Sequence, residues 1–116
     1  MAEVFIAKDA NTVKYIPEIR RFDSSLSIGE IKSRIENGTA VFSKELITYG
    51  DIYYEEVEGI DPHTRNMMFF SLIERLIGMG AELKITEKDR EITPDELKRK
   101  IMRIKEISDE TEMLPD

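Results

Sequence analysis

The chain has 116 residues, contains no cysteine and carries a formal net charge of −7. This length is typical of one domain, which can bury a core without the help of disulfides or a metal. The missing cysteines exclude disulfides and thiolate metal sites, and the acidic balance argues against a nucleic-acid partner. The start of the chain does not resemble a signal peptide, and no apolar run is long enough to cross a membrane. We therefore expect a cytoplasmic protein.

The first part of the chain is predicted to form two strands and a helix. Glu3 to Lys8 is short and rich in Val, Phe and Ile, which is typical of a strand. Val13 to Phe22 is ambiguous: its residues favour a strand, which Pro17 would confine to a sheet edge, and a single helical turn beginning at Pro17 is the alternative. Ser27 to Asn37 is predicted to be a helix that begins with a capping box. Three isoleucines are expected on its buried face, namely Ile28, Ile31 and Ile35.

The middle of the chain is predicted to contain a strand and then the most apolar helix. In Thr39 to Ile47, the residues from Ala40 to Phe42 are expected to form the buried strand. Asp61 and Pro62 are residue types that favour a helix start, and glycines near position 80 suit its end. Apolar residues recur between these limits over a wide sector, so we expect this helix to be buried on more than one side. Its predicted core residues are Phe69, Leu72, Ile73, Leu76 and Ile77.

The last part of the chain is predicted to form a strand, a turn and a helix. Ala81, Leu83 and Ile85 alternate with polar residues, as in a half-buried strand. Lys88 to Arg90 has turn chemistry, and Thr93 begins a second capping box. The apolar stripe of the following helix is Leu97, Ile101, Ile104 and Ile107. We expect one domain over residues 1–107 and an acidic, flexible tail over 108–116.

Together these elements predict an α+β fold. Their order is ββαβαβα, with a small sheet of about four strands packed against about three helices. No internal repeat, linker or low-complexity tract interrupts this pattern.

The residue combinations that catalysis or metal binding needs are missing from the sequence. A nucleophile has to be paired with a base, but the chain has one histidine, His63, which we expect to be a solvated residue in the first turn of the central helix. A metal site needs about three or four convergent ligands, and Asp61 with His63 does not supply them. The sequence therefore predicts no catalytic residues, no metal and no cofactor.

The strongest candidate for a binding surface is the stretch from Glu45 to Thr64, called here the acidic segment. It holds six carboxylates and no Lys or Arg. Tyr53 and Tyr54 are adjacent and cannot point the same way on a regular element, so at least one is expected to be exposed. Tyrosine is enriched at interface hot spots, and carboxylates steer a basic partner. The predicted partner-binding residues are Asp51, Tyr53, Tyr54, Glu55, Glu56 and Glu58. The alternative is an ordinary acidic connection with one tyrosine packed on the core.

Asp51 to Tyr54, followed by acidic residues, Gly59 and Asp61-Pro62, resembles the tyrosine-pair segment of the DNase-colicin immunity proteins. In that family the matching aspartate and tyrosines grip the basic nuclease domain of a toxin. The resemblance implies a basic protein partner that is bound through these residues. It covers this segment alone, because that family is an all-helical bundle and strands are predicted here.

A second resemblance concerns the fold. The helix that carries Ile28 to Lys32, the central helix ending near Gly80 and the strand from Ala81 to Ile85 follow one another as in the C-terminal domain of the bacterial ribosomal stalk protein. That domain is a compact α+β unit that docks translation factors. The Gly- and Lys-rich helix surface of that domain is missing here, so the resemblance implies the fold and not factor binding.

Two further groups of side chains have competing interpretations. The last helix carries a basic cluster that is expected to form its solvated face, with a phosphate or RNA contact as the alternative; the cluster is Lys98, Arg99, Lys100, Arg103 and Lys105. Four methionines, Met67, Met68, Met79 and Met102, are expected to fill the core rather than to form an adaptable binding surface.

These observations favour a small interaction module, most concretely an immunity-type protein that neutralises a basic toxin by occlusion. The alternative is an adaptor of the translation or transcription machinery that docks through its last two helices, with Lys98, Arg99 and Arg103 at the contact. An enzyme would need an apolar pocket with converging titratable groups.

Overall fold

A computed structural model describes the backbone of residues 1–46 and 62–113 and the side chains of 1–46 and 63–106. This part of the chain contains four strands and four helices, and it confirms the predicted α+β class. In chain order they are β1 (Ala2–Ile6), α1 (Thr12–Phe22), α2 (Ile28–Asn37), β2 (Phe42–Lys44), α3 (Pro62–Gly78), β3 (Leu83–Glu87), β4 (Arg90–Ile92) and α4 (Pro94–Met113).

The four strands form one antiparallel sheet in the order β2-β1-β3-β4. Val4 lies opposite Phe42 on one side and Ile85 on the other, and all three are buried in the core. Phe5 and Lys84 face each other on the opposite side of the sheet, where the Lys84 ammonium lies 4.5 Å from the centre of the Phe5 ring. The sheet therefore packs one face on the core and leaves the other to solvent, as period-two alternation requires.

The segment Val13 to Phe22 is a helix, so the strand favoured from the sequence is wrong. The buried residues of α1 have helical spacing, since Tyr15, Ile16 and Ile19 lie on one face. The Tyr15 hydroxyl also donates a hydrogen bond of 2.8 Å to Asp9 Oδ2. Pro17 lies inside the helix, where it lacks the amide proton that the backbone ladder uses. Burial of this face outweighs that cost, which propensity alone does not reveal.

Helix α2 begins as its capping box predicts. The Ser27 hydroxyl accepts a hydrogen bond of 3.1 Å from the Glu30 amide, and Gly38 ends the helix with φ 69° in the left-handed region. Ile31 and Ile35 are buried as expected, whereas Ile28 is 56% exposed. Ile28 is the first helical residue, so its side chain lies at the edge of the buried face of α2, which packs against α1.

Helix α3 is the central core element. Five of its apolar side chains form a broad buried sector, as predicted for a helix covered on more than one side; they are Phe69, Phe70, Leu72, Ile73 and Leu76. Ile77 was expected to join them but is 43% exposed. The ring of Phe69 lies 5.7 Å from that of Phe22 and 5.6 Å from that of Phe42, which joins α3 to α1 and β2 through an aromatic cluster.

Strand β4 is missing from the sequence-based order. It forms because Lys88 and Asp89 both adopt positive φ, 52° and 62°, and turn the chain back along β3. Two consecutive residues with positive φ are the geometry of the tightest hairpin turns. Helix α4 then begins at the predicted cap, where the Thr93 hydroxyl accepts a hydrogen bond of 3.1 Å from the Glu96 amide. Its backbone stays helical to Met113, beyond the predicted end at Ile107.

An ion pair holds β3 against α4. The Lys100 ammonium lies 2.9 Å from a carboxylate oxygen of Glu87, whose side chain is only 11% exposed. Burial alone would raise the pKa of Glu87. The hydrogen bond and charge of Lys100, together with the amino group of Met1, outweigh burial and lower the pKa below its ordinary value.

Candidate functional site

The six predicted partner-binding residues lie between positions 47 and 61, outside the described residues. These are Asp51, Tyr53, Tyr54, Glu55, Glu56 and Glu58. What can be described is where the chain leaves and rejoins the fold. Leu46 is buried in the core, and α3 begins at Pro62. The acidic segment therefore connects two parts of the chain that both belong to the packed domain.

A cleft opens beside these two connections, and we call it the β2–α3 cleft. Its volume is about 410 Å³, within the range of small-molecule sites. Three stretches of chain build it: the end of α1 with the residues that follow, strand β2, and the first two turns of α3. Its described lining is Arg21, Phe22, Asp23, Ser24, Ser43, Lys44, Arg65 and Met68.

The described lining of the β2–α3 cleft carries more positive than negative charges, although the chain as a whole is acidic. Three cationic side chains and one carboxylate are among its described lining residues. Lys44 is half-buried, and burial together with the nearby charge of Arg65 lowers the pKa of its ammonium, while Glu45 partly opposes this effect. The Lys44 ammonium also donates a hydrogen bond of 2.8 Å to the backbone carbonyl of Glu45. The cleft thus holds a lysine whose charged form is disfavoured by its surroundings.

Two further lining residues, Asp23 and Arg21, are paired with neighbouring groups. Asp23 Oδ1 accepts hydrogen bonds from both the amide and the hydroxyl of Ser25, so this carboxylate is engaged in its own turn. Glu18 pairs with Arg21 at 3.6 Å and with Arg75 at 3.2 Å, and thereby links α1 to α3 beside the cleft. The arrangement positions hydrogen-bond donors around a concave surface.

A second candidate surface is the outer face of α4, called here the α4 face. It carries Lys98, Arg99 and Arg103 around Met102, which is 40% exposed, over a shallow depression of about 500 Å³. The ammonium of Lys98 also lies 5.9 Å from the centre of the Phe70 ring. Three of the basic residues thus lie on a solvated face as predicted, whereas Lys100 turns toward Glu87.

The expectation that the methionines fill the core holds for only two of the four. Met67 and Met79 pack against the core. Met68 and Met102 are each 40% exposed, because both lie on the outer sides of helices whose inner faces are already filled by other apolar residues. Each now marks a candidate surface: Met68 lines the β2–α3 cleft, and Met102 lies at the centre of the α4 face.

His63 is not the fully solvated residue expected from the sequence. Its side chain is half-buried, and its Nδ1 atom is buried without a hydrogen-bond partner, as is Oδ1 of Asn66 one turn later. Within the ranges 1–46 and 62–113, no group of three or more potential ligands could hold a metal ion. No helix in the described part of the chain is long and apolar enough to cross a membrane.

The β2–α3 cleft could not have been found from sequence spacing. Arg21, Lys44 and Arg65 are far apart in the chain, and each lies in a different secondary-structure element. No motif connects them, so only the packing of α1, β2 and α3 brings them together. Comparison of the chain with protein-family models, with curated proteins and with solved structures finds no match.

Proposed function

We propose that this protein is a cytoplasmic protein-protein interaction module that binds a basic protein through its acidic segment. The concrete form is an immunity-type protein that neutralises a toxin by occlusion. The observation that carries the proposal is the charge of the segment, which has six carboxylates and no Lys or Arg around an adjacent tyrosine pair. Carboxylates accelerate the approach of a basic partner, and tyrosine supplies rigid contact area.

The fold supports this role by fixing both ends of the segment. Leu46 is 5% exposed and belongs to the main core cluster. On the other side, α3 contributes Phe69 and Leu72 to the same core. An interaction segment attached to a rigid scaffold at both ends loses less conformational entropy on binding than one attached at a single end.

The proposal is tested by partner capture followed by affinity measurement. The wild-type chain and a Tyr53→Ala/Tyr54→Ala variant are used to capture partners from the native host's lysate, after both have been shown to fold. A basic protein captured by the wild type is then purified and its affinity for both forms is measured. We expect the tyrosine variant to bind about 30-fold more weakly or worse, as for loss of a hot spot. Equal affinities would exclude the tyrosine pair from the interface.

The role assigned to charge has its own test in the association kinetics. Glu55→Lys should slow association and reduce its dependence on salt, because it weakens electrostatic steering more than short-range contacts. Glu3→Lys is a matched control, since it makes the same charge change on the outer face of the sheet. Equal association rates for the two variants would contradict steering by the acidic segment.

A second candidate function is an adaptor that docks on translation or transcription machinery through the α4 face. The observation that favours it is Met102, an exposed apolar side chain whose described neighbours on the α4 face include three cations and two carboxylates. In this case, neutralising Lys98, Arg99 and Arg103 together would abolish binding to the partner. The Tyr53→Ala/Tyr54→Ala variant would still bind it. Loss of binding in the tyrosine variant, with binding retained after neutralisation of the α4 face, would support the immunity-type function.

A further inference from the structure

We propose that the groove between α1 and α2, called here the α1–α2 groove, docks an acidic amphipathic helix of a partner protein. The described lining of this groove is Ile16, Pro17, Arg20, Arg21 and Ile28. The proposal is independent of the proposed function, since it concerns a different surface and a partner of opposite charge.

Exposed apolar side chains on both helices are the first argument. Val13 is 73% exposed and Ile28 is 56% exposed, and Pro17 is exposed as well. Val13 and Pro17 lie one turn apart and therefore share one face of α1. Pro17 and Ile28 in turn line the same depression. The two helices thus present a joint apolar surface that the fold leaves exposed to solvent.

Folding alone does not account for these three side chains. Proline and β-branched residues lower the stability of a helix, and an exposed side chain recovers little of that loss through burial. Polar residues would serve the fold equally well at these positions. A partner that buries the apolar surface gives the observed residues a physical role.

Shape is the second argument, and it favours a helix as the partner element. The groove has a volume of about 300 Å³, which is room for the apolar side chains of about one helical turn. Its described walls are side chains of two helices, so they offer no strand edge to which an extended peptide could add. A concave surface also suits a helix better than it suits a lipid bilayer, into which apolar side chains have to project.

Charge is the third argument, and it favours an acidic partner. The described lining contains Arg20 and Arg21 and no carboxylate. Arg20 Nε donates a hydrogen bond of 3.2 Å to the carbonyl of Leu26. The Arg21 guanidinium lies 3.6 Å from Glu18. A guanidinium carries more N–H donors than either contact uses, so both arginines retain donors for a carboxylate of the partner.

Two lysines extend the positive charge along the groove. Lys14 is an exposed residue of α1, and Lys32 is exposed one turn after Ile28 on α2. The side chains of both lysines form no ion pair or hydrogen bond in the described part of the chain. Glu30, the carboxylate nearest to Ile28 in sequence, is already paired with Arg34 at 3.7 Å. Carboxylates of a docked helix would therefore meet cations from both helices.

The other two surfaces lack this combination of features. In the β2–α3 cleft, Lys44 already donates a hydrogen bond to the carbonyl of Glu45. The described lining of the α4 face includes two carboxylates, which would repel an acidic partner. The α1–α2 groove is the described surface that joins exposed apolar side chains on two helices to an excess of cations.

The test is a titration of the purified full chain with two synthetic amphipathic helices, followed by NMR of the backbone amides. The acidic probe carries leucine at i, i+3, i+4 and i+7 with glutamate and alanine elsewhere, and the basic probe has lysine in place of each glutamate. We expect saturable shifts at Val13, Ile28 and Gly29 with the acidic probe and none with the basic probe. Binding should weaken as salt is added, because salt screens the exposed charges.

Four variants decide whether the groove is responsible. Ile28→Ser should bind the acidic probe about tenfold more weakly, as for loss of an apolar anchor. Ile77→Ser is its matched control, since Ile77 is a similarly exposed isoleucine on α3. Lys32→Glu should weaken binding and reduce its dependence on salt, whereas Arg99→Glu makes the same charge change on α4 and should bind as the wild type does. Equal affinity of the wild type and Ile28→Ser, equal binding of the two probes, or no saturable shift in the groove would overturn the proposal.

Two other occupants predict different results. A second copy of the chain would make the sedimentation of the protein alone depend on its concentration. A lipid surface would retain the protein on vesicles of phosphatidylserine and phosphatidylcholine. Either behaviour, if Ile28→Ser abolished it and Ile77→Ser did not, would assign the groove to that occupant and overturn the proposal.

Discussion

The ion pair between Glu87 and Lys100 offers the most stringent test of the structure, through the substitution Lys100→Met. The pair is short, 2.9 Å, and it joins β3 to α4. Methionine retains most of the apolar stem of lysine, so the substitution removes the charge with little loss of packing. It leaves the Glu87 carboxylate buried next to the weaker of its two cationic partners, the Met1 amino group at 3.6 Å.

The expected loss of stability in Lys100→Met follows from the burial of Glu87 and of Lys100. Breaking a fully buried ion pair by removing one partner costs about 3–5 kcal/mol. Glu87 is 11% exposed but Lys100 is 35% exposed, so part of the lost interaction is replaced by water. We therefore expect the free energy of unfolding to fall by about 2 kcal/mol near neutral pH.

The pH dependence supplies a second, sharper expectation. In the wild type the pKa of Glu87 is lowered on folding. The ionised carboxylate therefore stabilises the fold at pH values above the ordinary pKa of glutamate, and this contribution is lost as the pH falls through the lowered pKa. In Lys100→Met the effect of burial is no longer outweighed by Lys100, so the pKa of Glu87 rises. The protonated carboxyl is then tolerated, and the difference in stability between wild type and variant should shrink toward acid pH.

Urea unfolding of both proteins between about pH 7 and about pH 4 measures this difference. The control is Arg103→Met, because Arg103 pairs with Glu106 at 3.8 Å on an exposed surface and should cost less than about 0.5 kcal/mol. The described burial of Glu87 would be refuted by either of two results. One is that Lys100→Met lowers the free energy of unfolding no more than the control does, and the other is that its effect does not change with pH.

Three further changes in stability should follow from the described contacts. Ser27→Ala removes the cap of α2 and should lower the free energy of unfolding by about 1 kcal/mol, measured by urea unfolding. Ile31→Ala should cost about 3 kcal/mol and Ile28→Ala less than about 1 kcal/mol, since the first is buried and the second is exposed; equal costs would contradict the orientation of α2. Asp89→Gly should raise the melting temperature, because glycine adopts the positive φ of 62° without strain; an unchanged or lower melting temperature would argue against this turn.

Most secondary structure could be predicted because its determinants are local. Both capping boxes involve residues three apart, and the hydrogen bonds of Ser27 and Thr93 occur where those patterns indicate. Helix α1 could not be assigned in this way, since its β-branched residues and Pro17 favour another structure. Its helical state follows from the buried face that packs against α2 and α3 and from the link between Glu18 and Arg75, and these are contacts distant in sequence.

The two candidate surfaces differ in the same way: one is recognisable in the sequence and the other forms only on folding. The acidic segment is a property of the sequence, because a run of one charge sign around an adjacent pair of tyrosines can be recognised in any conformation. The β2–α3 cleft exists only in the folded chain, because Arg21, Lys44 and Arg65 come together only when α1, β2 and α3 pack around the same core. By itself the sequence determined the α+β class, the starts of α2, α3 and α4 and the acidic segment, which depend on neighbouring residues. Tertiary structure alone decided the state of α1, the exposure of Ile28, Met68 and Met102, and the cleft, because these depend on which faces the other elements cover.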